Sequence, residues 1–244
     1  MRGEGKTDIG RKRKLNEDSF FVENGAIGSL PNLYIIADGM GGHQAGEVAS
    51  FEAIRAFKSY VMENTFEDGD ILDFMISATK HANSEVLKKS TCDKQYFGMG
   101  TTLSSCVFDK GKLYIAHVGD SRVYKVSGSS ITQLTADHTF VNDLVKKGEI
   151  TSEEAREHPK RNLITRAIGV EEDVLIDGVL HTLMGNDKII LCSDGLTSML
   201  TDQEILMHIN SGGGLPDTLN QLIDSAKNKG GDDNISVILI EEER

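Results

Sequence analysis

Asn32-Leu-Tyr-Ile-Ile-Ala-Asp-Gly-Met-Gly-Gly-His-Gln-Ala-Gly46 is the stretch whose reading decides the fold. Leu33 to Ala37 is a short apolar run of β-favouring residues and reads as a buried strand. It ends on Asp38, and Gly39, Gly41 and Gly42 follow at once, so a sharp turn is expected where the carboxylate leaves the sheet. Beyond Gly46 the apolar residues Val48, Ala49, Phe51, Ala53, Ile54 and Phe57 recur at helical spacing. Strand, acidic tip, glycine turn and helix together present a carboxylate at the rim of a sheet. Met alone, an Asp-Gly after a strand is usually only a turn.

Repetition changes that reading. Lys112 to Val118 is apolar and runs into Gly119-Asp120-Ser121-Arg122; Lys188 to Cys192 runs into Ser193-Asp194-Gly195. Gly230-Gly231-Asp232-Asp233-Asn234 precedes the apolar run Ile235 to Ile240. Carboxylates thus recur at strand ends beside glycine along the chain. If those ends meet at one rim, the charges repel unless a cation lies between them. Oxygen-only ligands of this kind suit hard cations, Mg²⁺ or Mn²⁺, better than zinc.

The elements around them point the same way. Asp109-Lys110-Gly111 joins the β-rich runs Thr101 to Phe108 and Lys112 to Val118, and Ser127-Gly-Ser-Ser130 joins Arg122 to Val126 and Ile131 to Leu134, as hairpin loops do, so antiparallel pairing is expected and a purely parallel doubly wound fold is disfavoured. Amphipathic helices are expected over about 46–64, 70–90, 202–210 and 216–228. Residues 137–169 form a polar, partly helical insertion, with Thr151 placed to cap a helix and Pro159 to end it. No repeat, low-complexity tract or linker interrupts the chain, so residues 1–244 read as one domain. A net charge of −12 argues against nucleic acid as the main partner. The three cysteines form no CxxC, residues 1–20 lack the apolar core of a signal peptide, and no apolar run is long enough to span a bilayer. A cytoplasmic protein with no membrane association is the expectation.

Several catalytic classes are excluded. Gly3-Glu-Gly-Lys-Thr7 lacks the leading glycine of a phosphate-binding P-loop, and Gly39 to Gly46 does not fit GxGxxG. A thiolate phosphatase needs arginine six positions after its cysteine, where this chain has Gly98, Lys112 and Ser198. No GxSxG elbow occurs. The carboxylates leave the metal route.

Arg13-Lys-Leu-Asn-Glu17-Asp18, Asp38-Gly-Met-Gly-Gly-His43, Gly98-Met-Gly-Thr-Thr102, Gly119-Asp-Ser-Arg122, Asp137-His138, Ser193-Asp-Gly195 and Gly231-Asp-Asp-Asn234, in this order, resemble the metal-dependent serine/threonine phosphatases of the phosphatase 2C (PPM) family, especially its compact bacterial cytoplasmic members. The resemblance implies an α+β fold, an αββα sandwich of two mainly antiparallel sheets flanked by helix pairs, with 137–169 as a flap. It implies two tightly bound Mn²⁺ or Mg²⁺ ions, with Asp38 bridging, Gly39 lending its carbonyl, and Asp194 and Asp233 holding the second; Asp232 is the alternative to Asp233. Asp120 would hold a third, weaker ion, and Glu17 and Asp18 would support the ligands. Arg13 would clamp the substrate phosphate, as a guanidinium fork suits a phosphoryl group. His43 is the candidate proton donor, although many eukaryotic members of the family carry histidine where this chain has Met40. The implied activity is hydrolysis of phosphoserine and phosphothreonine on proteins by an activated water, by a monomer opposing a serine/threonine kinase. The competing reading is a catalytically silent phosphoprotein-binding module, which would be expected to lack a metal aspartate. Lys160 and Arg161 are placed to meet a phosphorylated substrate.

Overall fold

The computed structural model describes residues 1–41, 45–66 and 71–242. Strands β1 (Arg2–Asp8), β2 (Asp18–Glu23) and β3 (Leu33–Met40) lead into helices α1 (Ala45–Glu63) and α2 (Ile71–Cys92). A β-rich stretch follows: β4 (Gly100–Thr101), β5 (Leu103–Asp109), β6 (Lys112–Val118), β7 (Arg122–Ser127) and β8 (Ser130–Gln133). Short helices α3 (Phe140–Lys146) and α4 (Ser152–Glu157) precede β9 (Asp177–Thr182) and β10 (Lys188–Cys192). Then come α5 (Asp194–Thr197), α6 (Asp202–Asn210), α7 (Leu215–Asn228) and β11 (Ile235–Glu241).

The strands form two sheets, ordered β1-β11-β10-β7-β8 and β2-β3-β5-β6-β9, with β4 added against β3. Every pairing is antiparallel. Helices α1 and α2 cover the second sheet, and α5 and α7 pack over the first. The architecture is the expected αββα sandwich.

Strand alternation builds its three apolar layers. In β3, Leu33, Ile35 and Ala37 point to α1 and α2, while Tyr34 and Ile36 enter the space between the sheets. Ile190 and Cys192 of β10 and Val237 and Leu239 of β11 face α5 to α7. Ile189, Leu191, Ile238 and Ile240 face inward with Phe20 and Val22 of β2. Carrying the same alternation to one end of the sandwich gives Asp38 after Ile36, Asp18 before Phe20, Ser193 after Leu191 and Ser236 before Ile238. The inter-sheet core therefore changes from apolar to polar at one end, and the carboxylates meet there.

Three expectations need correction. The strand does not end at Asp38: β3 continues to Met40, with Gly39 and Met40 paired to Thr101 and Gly100, because β4 supplies partners for their backbone. Glycine serves at position 39 through close approach, since a Cβ there would collide with the carbonyls of Gly46 and Glu17. The run from Thr101 to Phe108 is two strands, β4 and β5, with Thr102 between them. The segment read as a failed P-loop is β1, which pairs along its whole length with β11. Its glycines hid it: Gly3 and Gly5 lie where a side chain would strike Tyr34 and Phe20.

The insertion is closed at its base by bridges from Thr139 to Ile164 and from Thr101 to Ile168. Thr139 caps α3, and Thr151 caps α4 through a reciprocal capping box with Glu154. Ile238 is fully buried between the sheets. Ile238→Ala should cost about 2–5 kcal/mol of stability in urea unfolding, and a wild-type midpoint would contradict this layering.

Candidate metal centre

The loop carrying Arg13 is tied to the start of β11 by one side chain. Asn234 Nδ2 donates to the carbonyls of Ile9 (3.0 Å) and Leu15 (2.9 Å), and its Oδ1 accepts from the Glu17 N–H (2.8 Å). Arg11 N–H donates to the Gly231 carbonyl at 2.8 Å. Arg13 is thereby set beside Asp233: its Nη2 lies 2.7 Å from Asp233 Oδ2, and its Nη1 lies 3.7 Å from Glu17 Oε2. Asp232 instead pairs with Lys12 at the surface (2.7 Å).

Asp38 is fixed through its backbone. Its N–H donates to Thr102 Oγ1 and its carbonyl accepts from Thr101 Oγ1 and the Thr102 N–H, each at 2.9 Å. Asp18 stands directly opposite Asp38 across β2 and β3. Ser193 Oγ donates to Asp18 Oδ2 at 2.8 Å and accepts from the Ser236 N–H at 3.0 Å. Asp194, the next residue, opens α5, and its carboxyl and that of Asp38 act on each other's ionisation. Asp120 follows β6 and is buried.

These groups strain against ionisation. Asp38, Asp18, Asp194 and Asp120 all have raised pKa values, first because burial penalises the charged form and next because they repel one another. Glu17 is raised too, by burial, against the pull of Arg13. Among the described residues, Glu17 Oε1, Asp18 Oδ1 and Asp120 Oδ1 are buried oxygens without a hydrogen-bond partner. Orphaned carboxylate oxygens in an all-oxygen donor set fit hard divalent cations. They are not drawn into a finished cage: among the described residues no three His, Cys, Asp or Glu side chains form a group ready to hold an ion. Arg13 holds one oxygen of Asp233 instead.

A cavity of about 800 Å³ opens from Asp120 and Asp194 towards the 137–169 insertion, where Arg156 and Arg161 line it. Lys160 lies over the Phe140 ring, 5.2 Å from its centroid. His43 lies outside the described residues. The structure brings Arg13, Glu17, Asp18, Asp38, Asp120, Asp194 and Asp233 into one electrostatic neighbourhood. Sequence reasoning gave no role to Thr102, Ser193 or Asn234. Each stands in a quoted motif, Ser193 and Asn234 directly beside a carboxylate, and strand alternation marks Ser193 as inward-facing.

A family model described as protein phosphatase 2C matches residues 7–239. The chain belongs to the protein phosphatase 2C family. It is 37% identical to the serine/threonine phosphatase stp of Listeria welshimeri, over 99% of this chain and 96% of that protein. The phosphatase 2C fold seen here is similar to that of the serine/threonine phosphatase Stp1 from Staphylococcus aureus, with a TM-score of 0.92 and 36% identity over 99% of this chain and 95% of that one. It is also similar to the catalytic domain of the serine/threonine phosphatase PstP in complex with two manganese ions, with a TM-score of 0.84 and 34% identity over 98% and 96% of the two chains.

The raised carboxyls set a pH dependence. Each holds its proton more tightly when folded, so stability falls as pH rises from 3.8 towards about 8. The buried, neutral His117, lowered to about 4, acts oppositely, but only below 6.5. In chelator the thermal midpoint should therefore fall by a few degrees, on the order of 2–4 °C per kcal/mol, between about pH 6.5 and 8. Asp120→Asn should flatten that slope and Mn²⁺ should abolish it; a flat wild-type profile in calorimetry would contradict the clustering.

Proposed function

We propose that Asp38, Gly39, Asp194 and Asp233 hold two divalent cations, Mn²⁺ or Mg²⁺, with Asp120 holding a third more weakly. The chain is a metal-dependent serine/threonine protein phosphatase whose substrates are phosphoproteins. The observation that carries the reading is the convergence of Asp18, Asp38, Asp120, Asp194 and Asp233 where the inter-sheet core ends, with buried oxygens of Glu17, Asp18 and Asp120 left without a partner beside them. Bound there, the cations supply positive charge for the phosphoryl oxygens and lower the pKa of a water towards neutrality.

The chain's own groups set the rest. Arg13 is half-exposed and paired with Asp233; to clamp a phosphoryl group it exchanges that carboxylate for phosphate oxygens, which suit its fork equally well. Thr102 and Thr101 fix the backbone of Asp38, so its carboxylate keeps one place at the rim. Ser193 holds Asp18 behind it, and Glu17 stays close to Arg13. Both are supporting groups in this reading. His43 is the candidate donor to the leaving serine or threonine oxygen, by its place in the glycine-rich stretch.

Residues 1–244 act as one catalytic domain with 137–169 as the flap. The protein works as a monomer in the cytoplasm and opposes a serine/threonine kinase. Among the described residues no helix is long and apolar enough to cross a membrane. A silent binding module finds no support, because every aspartate of the proposed set is present.

Phosphate release from a phosphothreonine peptide tests this. Exhaustive chelation should abolish it and Mn²⁺ should restore it. Asp38→Asn and Asp233→Asn should each lower turnover by about a hundredfold or more while circular dichroism is unchanged. Arg13→Ala should mainly raise KM, by about tenfold, the size of one lost charged hydrogen bond. Asp120→Asn should keep the two tight ions in calorimetry and lose peptide hydrolysis more than hydrolysis of an activated aryl phosphate. Wild-type turnover in Asp38→Asn would reject the ligand assignment.

A further inference from the structure

Gly119 is held at both of its backbone polar groups by one residue. Its N–H donates to His138 Nδ1 at 3.0 Å, and its carbonyl accepts from the His138 N–H at 2.8 Å. Gly119 has a φ of 112°, open to glycine but not readily to other residues. A Cβ at this position would strike Thr102. The next residue is Asp120, whose buried Oδ1 has no partner. Whatever fixes the His138 ring therefore fixes the backbone from which Asp120 projects.

The state of that ring follows from its neighbours. A backbone N–H only donates, so Nδ1 of His138 is unprotonated and the ring proton is on Nε2. Nε2 lies 3.2 Å from both Asp177 Oδ2 and Arg166 Nη1. Only the carboxylate can accept the Nε2 proton. Arg166 in turn donates to Asp177 Oδ1 at 2.9 Å. His138 is 1% exposed, and burial favours the neutral ring. The same histidine joins the flap, since its carbonyl accepts from the Thr165 N–H at 2.8 Å.

We propose that Arg166, Asp177 and His138 form a relay that locks one imidazole tautomer and so positions Asp120. The proposal rests on the reading of Asp120 as the ligand of the weaker cation. All three are positioning residues, acting through Gly119. The relay makes one conservative substitution damaging for a definite reason. Arg166 accepts nothing, so in Asp177→Asn the amide oxygen must face Arg166 and the NH₂ must face Nε2. Nε2 then accepts, the ring proton moves to Nδ1, and two donors oppose each other at Gly119. A wrong-tautomer histidine of this kind disables a site whose geometry is otherwise intact.

The test uses the full chain with Mg²⁺, following the histidine ¹⁵N resonances and the Asp120 amide, alongside phosphopeptide kinetics and cation titration. In the wild type, Nδ1 of His138 should resonate as unprotonated nitrogen. Asp177→Asn should move it to the protonated range, shift the Asp120 amide, lower kcat about tenfold with KM within twofold, and raise the cation concentration for half-activation about tenfold. His138→Asn, which places an amide oxygen where Nδ1 stood, should retain at least about a third of wild-type kcat. His138→Gln, which keeps only a donor towards Asp177, should lose as much as Asp177→Asn. An unchanged tautomer in Asp177→Asn, or a switched tautomer with wild-type kcat and titration, overturns the relay. Equal losses in His138→Asn and His138→Gln also overturn it, since they mark a merely structural histidine. Asp120→Asn separates the two readings: if it leaves the titration unchanged, Asp120 is not the weaker ligand, whereas a changed titration there with none in Asp177→Asn rejects the relay alone.

Discussion

Asp18 and Asp38 face each other across β2 and β3, both turned into the space between the sheets, and Asp194, just beyond β10 of the other sheet, adds a third buried carboxyl to their surroundings. Like charges opposite one another on a sheet destabilise it, and burial sharpens the conflict. Much of the nearby structure holds these groups in place against that repulsion. Ser193 spans Asp18 and the backbone of β11, Thr102 pins Asp38, and Asn234 draws the Arg13 loop over Asp233. A fold optimised only for stability would carry leucine and valine here. Polar residues at this end of an otherwise dry layer mark a place where stability was exchanged for charge density.

The phosphatase 2C assignment and this electrostatic picture reinforce each other. The family match spans nearly the whole chain, so it covers every element that contributes a carboxylate. Arg122 and Asp137 add a second layer of order: the guanidinium Nη2 lies 2.7 Å from Asp137 Oδ2, clamping the start of β7 to the base of the 137–169 insertion just beyond Asp120. The 137–169 insertion is thus attached beside Asp120 at two adjacent residues, Asp137 and His138, by quite different interactions.

The sheets and the carboxylates were legible in the sequence because alternation and glycine punctuation are local signals. Tyr34 and Ile36 lead to Asp38 by counting in twos, and Asp120 and Asp194 follow apolar runs in the same manner. What stayed hidden was non-local. Nothing near Gly3 and Gly5 announces a strand, since their strand character depends on β11 lying alongside and on Tyr34 and Phe20 filling the missing side chains' place. The extension of β3 to Met40 needed β4 as a partner from sixty residues away. His138 stands in a motif quoted above, but its link to Gly119 joins residues nineteen apart and is not visible in the sequence around either.

The pairing of β1 with β11 has a consequence for synthesis. Arg2 to Asp8 lie against Glu241 to Ile235, and Arg11 is bonded to Gly231. β11 is made long after β1, so on a nascent chain β1 waits without this neighbour, and the loop bearing Arg13 lacks its ties to Asn234 and Gly231. Closure across so long a stretch of sequence is entropically slow and comes late in folding. Until that closure forms, Arg13 and Asp233 are not brought together, so the charge cluster is completed only once the two distant ends of this stretch have met.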